Sequence, residues 1–136
     1  MIRIEEIQQL PRDICKHLTK ASRDEFLQYG LMSFGAIRAA ERAWKVTLDE
    51  ELLCFACVYR GNIWGTPELG LFVGKAYEHN TIAALRATKE LRTLLRSYFP
   101  RMKAKVDRGN DMALKFAQFF SFRLVREDNE YYYLEG

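Results

Sequence analysis

Apolar residues recur along this chain with a period that switches between two and about 3.6, and each switch marks the boundary of a predicted element. Residues 2–4 alternate, which predicts a short first strand. Residues 52–59 form a nearly continuous apolar run, which is typical of a central strand covered on both faces. Between them, the composition predicts a short helix over residues 34–43 and a strand over residues 44–48.

Two helices carry clear start or stop signals. Ser22 is followed three residues later by Glu25, a capping-box pattern that predicts a helix from this point to Gly30. The longest helix is predicted over residues 81–98, where apolar residues share one stripe, with Asn80 or Thr81 as its cap.

The last third of the chain predicts four further elements. A strand over residues 102–106 is followed by a turn and by a helix over residues 110–120. A closing hairpin pairs residues 122–126 with residues 131–134. A strand on each side of the long helix predicts a parallel pair. We therefore expect one α/β domain (α+β in detail) over residues 1–136, with a mixed, mostly antiparallel sheet and helices on both faces.

The net charge of the chain excludes few classes of function. The 21 basic and 18 acidic residues leave a net charge of +3, which permits a local basic patch without indicating a nucleic-acid binder. Residues 75–105 carry most of this surplus, and we expect a solvated helix face and a strand edge there, with transient DNA contact left open. No segment approaches the roughly 20 apolar residues of a membrane span.

Metal and thiol chemistry are not expected. Cys54 and Cys57 are three residues apart in a predicted strand, so their side chains point to opposite faces and cannot share a metal. The odd third cysteine, Cys15, favours a reducing compartment. The sequence has two histidines, His17 and His79, which are few for a histidine-based catalytic triad or metal site.

The segment from Asn110 to Phe122 resembles the second half of a GNAT acetyltransferase. In that family a strand ends near an Asn, a helix carries an Ala three residues later, and a Gly-Phe pair opens the next strand. Asn110, Ala113 and Phe122 match this pattern, and Ser121 stands in place of the Gly. The order of the predicted elements agrees with the family over residues 44–136, and residues 2–4 resemble its first strand.

The resemblance also implies where a coenzyme would bind. GNAT enzymes hold the pyrophosphate of coenzyme A at a Gly-rich turn before the long central helix, where bare N–H groups face the anion. The corresponding turn here keeps a single Gly and carries Glu78, which would repel phosphate. We expect no cofactor; if the chain is active, the implied acetyl-CoA site comprises Val73, Gly74, Lys75, His79, Asn80 and Asn110.

The catalytic part of the family pattern is missing. Many members place a Tyr on the helix after the Asn, as a general acid for the leaving thiolate. Here the equivalent position is Ala117. Glu51 or Glu68 could act as a base, although a place at the surface is the better explanation for each. We therefore assign no catalytic residue, and the resemblance implies an acetyltransferase fold that has lost its chemistry.

The chain also resembles small GNAT-like proteins of short-tailed bacteriophages, including the small internal virion protein family. The resemblance rests on residues 63–66 (Ile-Trp-Gly-Thr), the poor phosphate turn and residues 106–122. It implies a virion-associated structural protein, internal or at a head/tail junction. Its partners would be other phage structural proteins or further copies of itself. Its location would be the virion, and the host cytoplasm during assembly.

Two other functions remain open from the sequence. One is an active acetyl-CoA-dependent N-acetyltransferase with a non-standard phosphate turn, and the other is a phage host-interaction or regulatory protein. For the virion structural protein, exposed aromatic residues would form the partner surface. Phe34, Trp64 and Tyr132 are the candidates, although a place in the core explains each of them better.

Overall fold

The computed structural model describes residues 1–8, 14–28, 42–59 and 65–136, and Phe34 and Trp64 lie outside these ranges. Within them, the strands are β1 (Ile2–Glu6), β2 (Arg42–Leu48), β3 (Glu51–Tyr59), β4 (Glu68–Val73), β5 (Lys103–Asp107), β6 (Arg123–Glu127) and β7 (Tyr131–Glu135). The helices are α1 (Ile14–His17), α2 (Lys20–Gln28), α3 (Ala76–His79), α4 (Thr81–Tyr98) and α5 (Asp111–Phe119).

The strands form one mixed sheet in the order β1-β2-β3-β4-β5-β7-β6. β4 and β5 run parallel, as expected from the long helix between them, and every other neighbouring pair is antiparallel. The predicted mostly antiparallel sheet is confirmed.

Helices cover both faces of the sheet. On one face, Leu91 and Leu95 of α4 and Phe116 of α5 pack in a large cluster that includes Cys54. On the other face, the side chains of α1 and α2 pack on those of β3 and β4, and this smaller cluster includes Cys57. The two thiols thus lie on opposite faces, as predicted. Burial raises the pKa of each to about 12, so both are neutral near pH 7.

The predicted helix over residues 34–43 is wrong at its end, and the rest of it lies outside the described residues. Arg42 and Ala43 begin β2, where Ala43 pairs with Cys57. The guanidinium of Arg42 forms two hydrogen bonds, of 2.6 and 2.7 Å, with the carboxylate of Glu6 and lies 3.6 Å from the ring centre of Tyr98. These long-range contacts outweigh the helical preference of the local sequence.

One predicted helix cap is wrong and another is confirmed in position only. α2 begins at Lys20, and its cap is Thr19, whose Oγ1 accepts from the N–H of Ser22 at 3.3 Å. Asn80 is the N-cap residue of α4, as predicted, but its side chain makes no cap bond, and its Nδ2 donates to the carbonyl of Ala76 at 2.9 Å. Neither difference could be predicted from the local sequence, because each depends on where the segment before the helix packs.

Part of the basic stripe of α4 is structural rather than solvated. Arg92 and Arg96 are half-buried and donate to the carbonyls of Phe119 and Phe120, at 3.2 and 3.1 Å. These carbonyls end α5, where cations are favoured. Burial, and secondarily the charge of Arg92, lowers the pKa of Arg96. Among the helices of the described ranges, none has the length and apolar character needed to cross a membrane.

Candidate functional site

The parallel strands β4 and β5 diverge. They are joined at one residue pair, Glu68 with Lys103, and then continue to Val73 and Asp107 without a further pair between them. Because the strands are parallel, their carboxyl ends lie at the same edge of the sheet. In open sheets of this kind, ligands bind in the crevice outside such ends. We refer to this place as the β4–β5 crevice.

The turn after β4 brings most of the predicted coenzyme residues to the crevice. Val73 and Gly74 are buried, whereas Lys75, just before α3, and His79, the last residue of α3, are exposed. Asn80 then leads into the 18-residue helix α4. The first N–H groups of a helix have no partner within it and form its positive end. Two exposed basic side chains therefore lie beside a helix N-terminus.

Three successive N–H groups at the start of this turn are already hydrogen-bonded within the chain. The N–H of Val73 donates to Oγ of Ser22 at 2.9 Å, and the N–H of Lys75 donates to the carbonyl of His17 at 2.7 Å. The N–H of Gly74 donates to the carbonyl of Leu53 at 2.8 Å. An anion cradle needs unbonded N–H groups. The resemblance placed phosphate at these residues, and the structure shows that their amides would first have to be released.

Asn110 lies at the end of the other wall. It follows β5, and its Oδ1 accepts from the N–H of Ala113 at 3.1 Å, which caps α5. The residue is 2% exposed, and its Nδ2 has no hydrogen-bond partner among the described residues. A buried donor without a partner costs free energy and calls for an explanation, such as a ligand. The sequence singles out Asn110 but does not show that its amide is unsatisfied.

Tyr77 is a site residue that the sequence did not single out. Its ring centre lies 5.2 Å from that of Phe116 in α5, so the turn after β4 is packed directly on the helix after β5. Burial raises the pKa of Tyr77, and the thiol of Cys54 adds to the effect. The contact joins residues distant in sequence, and no local pattern indicates it. The neighbour of Phe116, Ala117, is 1% exposed and carries no hydroxyl.

The two glutamates considered as bases lie differently. Glu68 is half-buried at the amino end of β4, five strand steps, or about 17 Å, from Val73. Glu51 is exposed at the start of β3, next to Leu52, whose carbonyl contacts Gly74. Glu68 is therefore remote from the crevice, and Glu51 is near it but open to solvent.

A polar depression of about 600 Å³ lies at the turn that precedes Asn110. It lies between the turn after β5 and the tip of the β6–β7 hairpin, and its lining residues are Asp107, Arg108, Gly109, Asn129, Glu130 and Tyr131. The guanidinium of Arg108 donates to the carbonyl of Asp128 at 2.8 Å, which joins the two loops. The depression thus has a fixed polar wall at the same edge of the sheet as the crevice.

No family model and no curated protein matches the chain, whereas solved structures resemble it along nearly all of its length. The N-acetyltransferase PseH of Campylobacter jejuni, in complex with acetyl coenzyme A, is 17% identical with a TM-score of 0.58, covering 100% of this chain and 98% of that one. An IAA acetyltransferase from Bacillus cereus is 10% identical with a TM-score of 0.70, covering 99% and 98%. The GNAT domain of S. lividans PAT is 14% identical with a TM-score of 0.64, covering 99% and 89%.

At these identities the likeness shows the fold alone, and that fold is the one of GNAT acetyltransferases. The fold predicted from the segment between Asn110 and Phe122 is thereby confirmed. The predicted kinship with phage virion proteins finds no support in these matches and stays a prediction.

Proposed function

We propose that this chain binds acetyl-CoA in the β4–β5 crevice and transfers the acetyl group to an amine. The observation that carries the proposal is the buried Nδ2 of Asn110, which follows β5 and has no acceptor in the part of the chain that the structure describes. The resemblance to acetyltransferases supports it, since PseH of the same fold is described in complex with acetyl coenzyme A.

The residues present fit the coenzyme in part. Lys75, His79 and the N-terminus of α4 would attract its diphosphate, and Glu78, exposed in the same turn, would weaken that attraction. Asn110 would donate to a polar atom of its arm. The coenzyme would supply an acetyl group already activated as a thioester.

The polar depression is where we place the amine acceptor. Two carboxylates, of Asp107 and Glu130, and one guanidinium, of Arg108, line it, so the lining is net negative and would attract a cationic amine. The bound amine would give a proton to water, its nitrogen would form a bond to the thioester carbonyl carbon, and the C–S bond would break. The leaving thiolate would take a proton from water, because Ala117 carries no hydroxyl where the family has a Tyr, and we expect slow turnover.

Calorimetric titration with acetyl-CoA tests the proposal. We expect micromolar affinity for the native chain and at least about tenfold weaker binding for Asn110→Ser. That change keeps an oxygen to cap α5 and removes the buried Nδ2 donor. Gln118→Ser is the matched control: it also replaces a side-chain amide with a hydroxyl, but at an exposed position of α5, and it should bind as the native chain does. Absence of binding by the native chain at millimolar acetyl-CoA would refute the proposal.

A second candidate is a structural protein of a phage particle, in which the fold is kept without the chemistry. It is favoured by Ala117 and by the internal hydrogen bonds that occupy the amides of Val73 and Lys75. It would lie in the virion, and in the host cytoplasm during assembly, in contact with other structural proteins. Mass spectrometry of purified particles should recover this chain in fixed stoichiometry, and its absence from them would exclude this candidate. A host-interaction role has no observation specifically in its favour.

A further inference from the structure

The segment that joins α1 to α2, together with the first turn of α2, lies along one edge of β4. The N–H of Thr19 donates to the carbonyl of Val73 at 2.9 Å, and the N–H of Lys75 donates to the carbonyl of His17 at 2.7 Å. These two bonds make Leu18 and Gly74 an antiparallel pair. Ser22, in the first turn of α2, adds a third bond through Oγ to the N–H of Val73. We call residues 17–22 the strap.

The strap occupies the edge of β4 that β5 leaves free. β3 bonds the opposite edge, where the N–H of Gly74 donates to the carbonyl of Leu53. Both main-chain polar groups of Val73 point the other way, to Thr19 and Ser22. Because β5 has diverged from β4 at this end, the strap forms one wall of the β4–β5 crevice.

The strap is anchored by burial as well as by hydrogen bonds. The side chain of Leu18 is fully buried in the cluster that contains Phe26 and Phe72. Thr19 and Ser22 are polar and buried, at 8% and 0% exposed, and the structure accounts for both through the bonds just described. With the strap on β4, the buried polar groups of Thr19 and Ser22 therefore have hydrogen-bond partners without any ligand.

We propose that the strap is an autoinhibitory contact, which acetyl-CoA must displace from β4 before the turn can hold its phosphates. This inference rests on the proposed function. An N–H group that already donates to Ser22 or His17 cannot also hold an anion in good geometry. The apparent affinity for the coenzyme is then the intrinsic affinity reduced by the fraction of molecules whose strap is open.

Ser22→Ala tests this directly, because it removes the acceptor of the Val73 N–H while Ala is well tolerated in a helix. We expect the Val73 amide to exchange its hydrogen at least about tenfold faster, and acetyl-CoA to bind about three- to tenfold more tightly. The matched control is Ser97→Ala, in the last turn of α4, whose Oγ donates to the carbonyl of Leu94. It should change neither quantity.

Hydrogen exchange of the native chain gives a second, independent test. Saturating acetyl-CoA should speed exchange of the Thr19 amide, because its acceptor on Val73 is lost when the strap leaves. Two results would overturn the autoinhibitory role of the strap and leave the proposed function standing. One is coenzyme binding that leaves the exchange rate of the Thr19 amide unchanged or lowers it. The other is coenzyme binding by Ser22→Ala with no gain in affinity. Absence of binding to both proteins overturns the two together.

Discussion

Gly74→Ala should lower the free energy of unfolding by about 3 kcal/mol or more. A Cβ at this position would run into the carbonyl oxygen of Leu52 and would lie 3.2 Å from that of Leu53. Both obstacles are main-chain atoms of the central strand β3, so no side-chain rotation relieves the clash. Either β3 or the turn after β4 must shift, and both lie in the buried part of the sheet. Urea unfolding followed by far-UV circular dichroism measures the loss.

Gly109→Ala is the matched control. Gly109 is exposed in the turn after β5, and a Cβ there would meet only Oδ1 of Asp107, at 3.1 Å, on a side chain that can move. We expect a change within about 1 kcal/mol. Equal effects of the two substitutions would show that Gly74 is not constrained by β3. The Gly74 result also bears on function, since it would explain this glycine by packing rather than by the approach of a phosphate.

Phe116→Ala should lower the free energy of unfolding by about 3–5 kcal/mol. The ring is 3% exposed and lies between two others, with centres 5.2 Å from Tyr77 and 5.6 Å from Phe120. Its loss removes apolar burial and leaves a cavity between the helix after β5 and the turn after β4. The same unfolding experiment measures the effect.

Phe119→Ala is the comparison for this second change. Phe119 is on the same helix but half-buried, so we expect a smaller loss, of about 1–2 kcal/mol. Phe116→Ala should also raise the accessibility of Tyr77, which can be followed by nitration of the phenol. A stable Phe116→Ala variant with an unreactive Tyr77 would contradict the packing between the two walls of the crevice.

Much of the fold follows from local pattern. The apolar stripe of α4 locates the helix exactly where it lies, and the tyrosines of residues 131–133 lie on the closing strand as expected. The Asn110 motif places a cap at the start of α5, and the cap bond is present. Each of these features depends on residues within a few positions of one another, so a period or a capping preference is enough to find it.

The candidate site is less predictable because its contacts are long-range. Ser22 has the sequence of a helix cap, yet its Oγ serves a strand 51 positions away. Arg42 and Ala43 look helical, yet sheet pairing with β3 decides their conformation. The set of residues that the resemblance implies for a coenzyme stays a prediction. The sequence could not reveal that the backbone N–H groups of Val73 and Lys75 are already bonded. Nor could it reveal that the side-chain Nδ2 of Asn110 has no partner among the described residues.

The bonds from Arg92 and Arg96 to the end of α5 make the crevice mechanically asymmetric. They fasten α5 to α4, and the antiparallel pairing of β5 with β7 joins the β6–β7 hairpin to the same unit. The β5 side of the crevice is thus a single packed unit. The β4 side consists of the turn after β4 and the strap, which is joined to β4 by a few hydrogen bonds. We therefore expect any widening of the crevice to come from the β4 side.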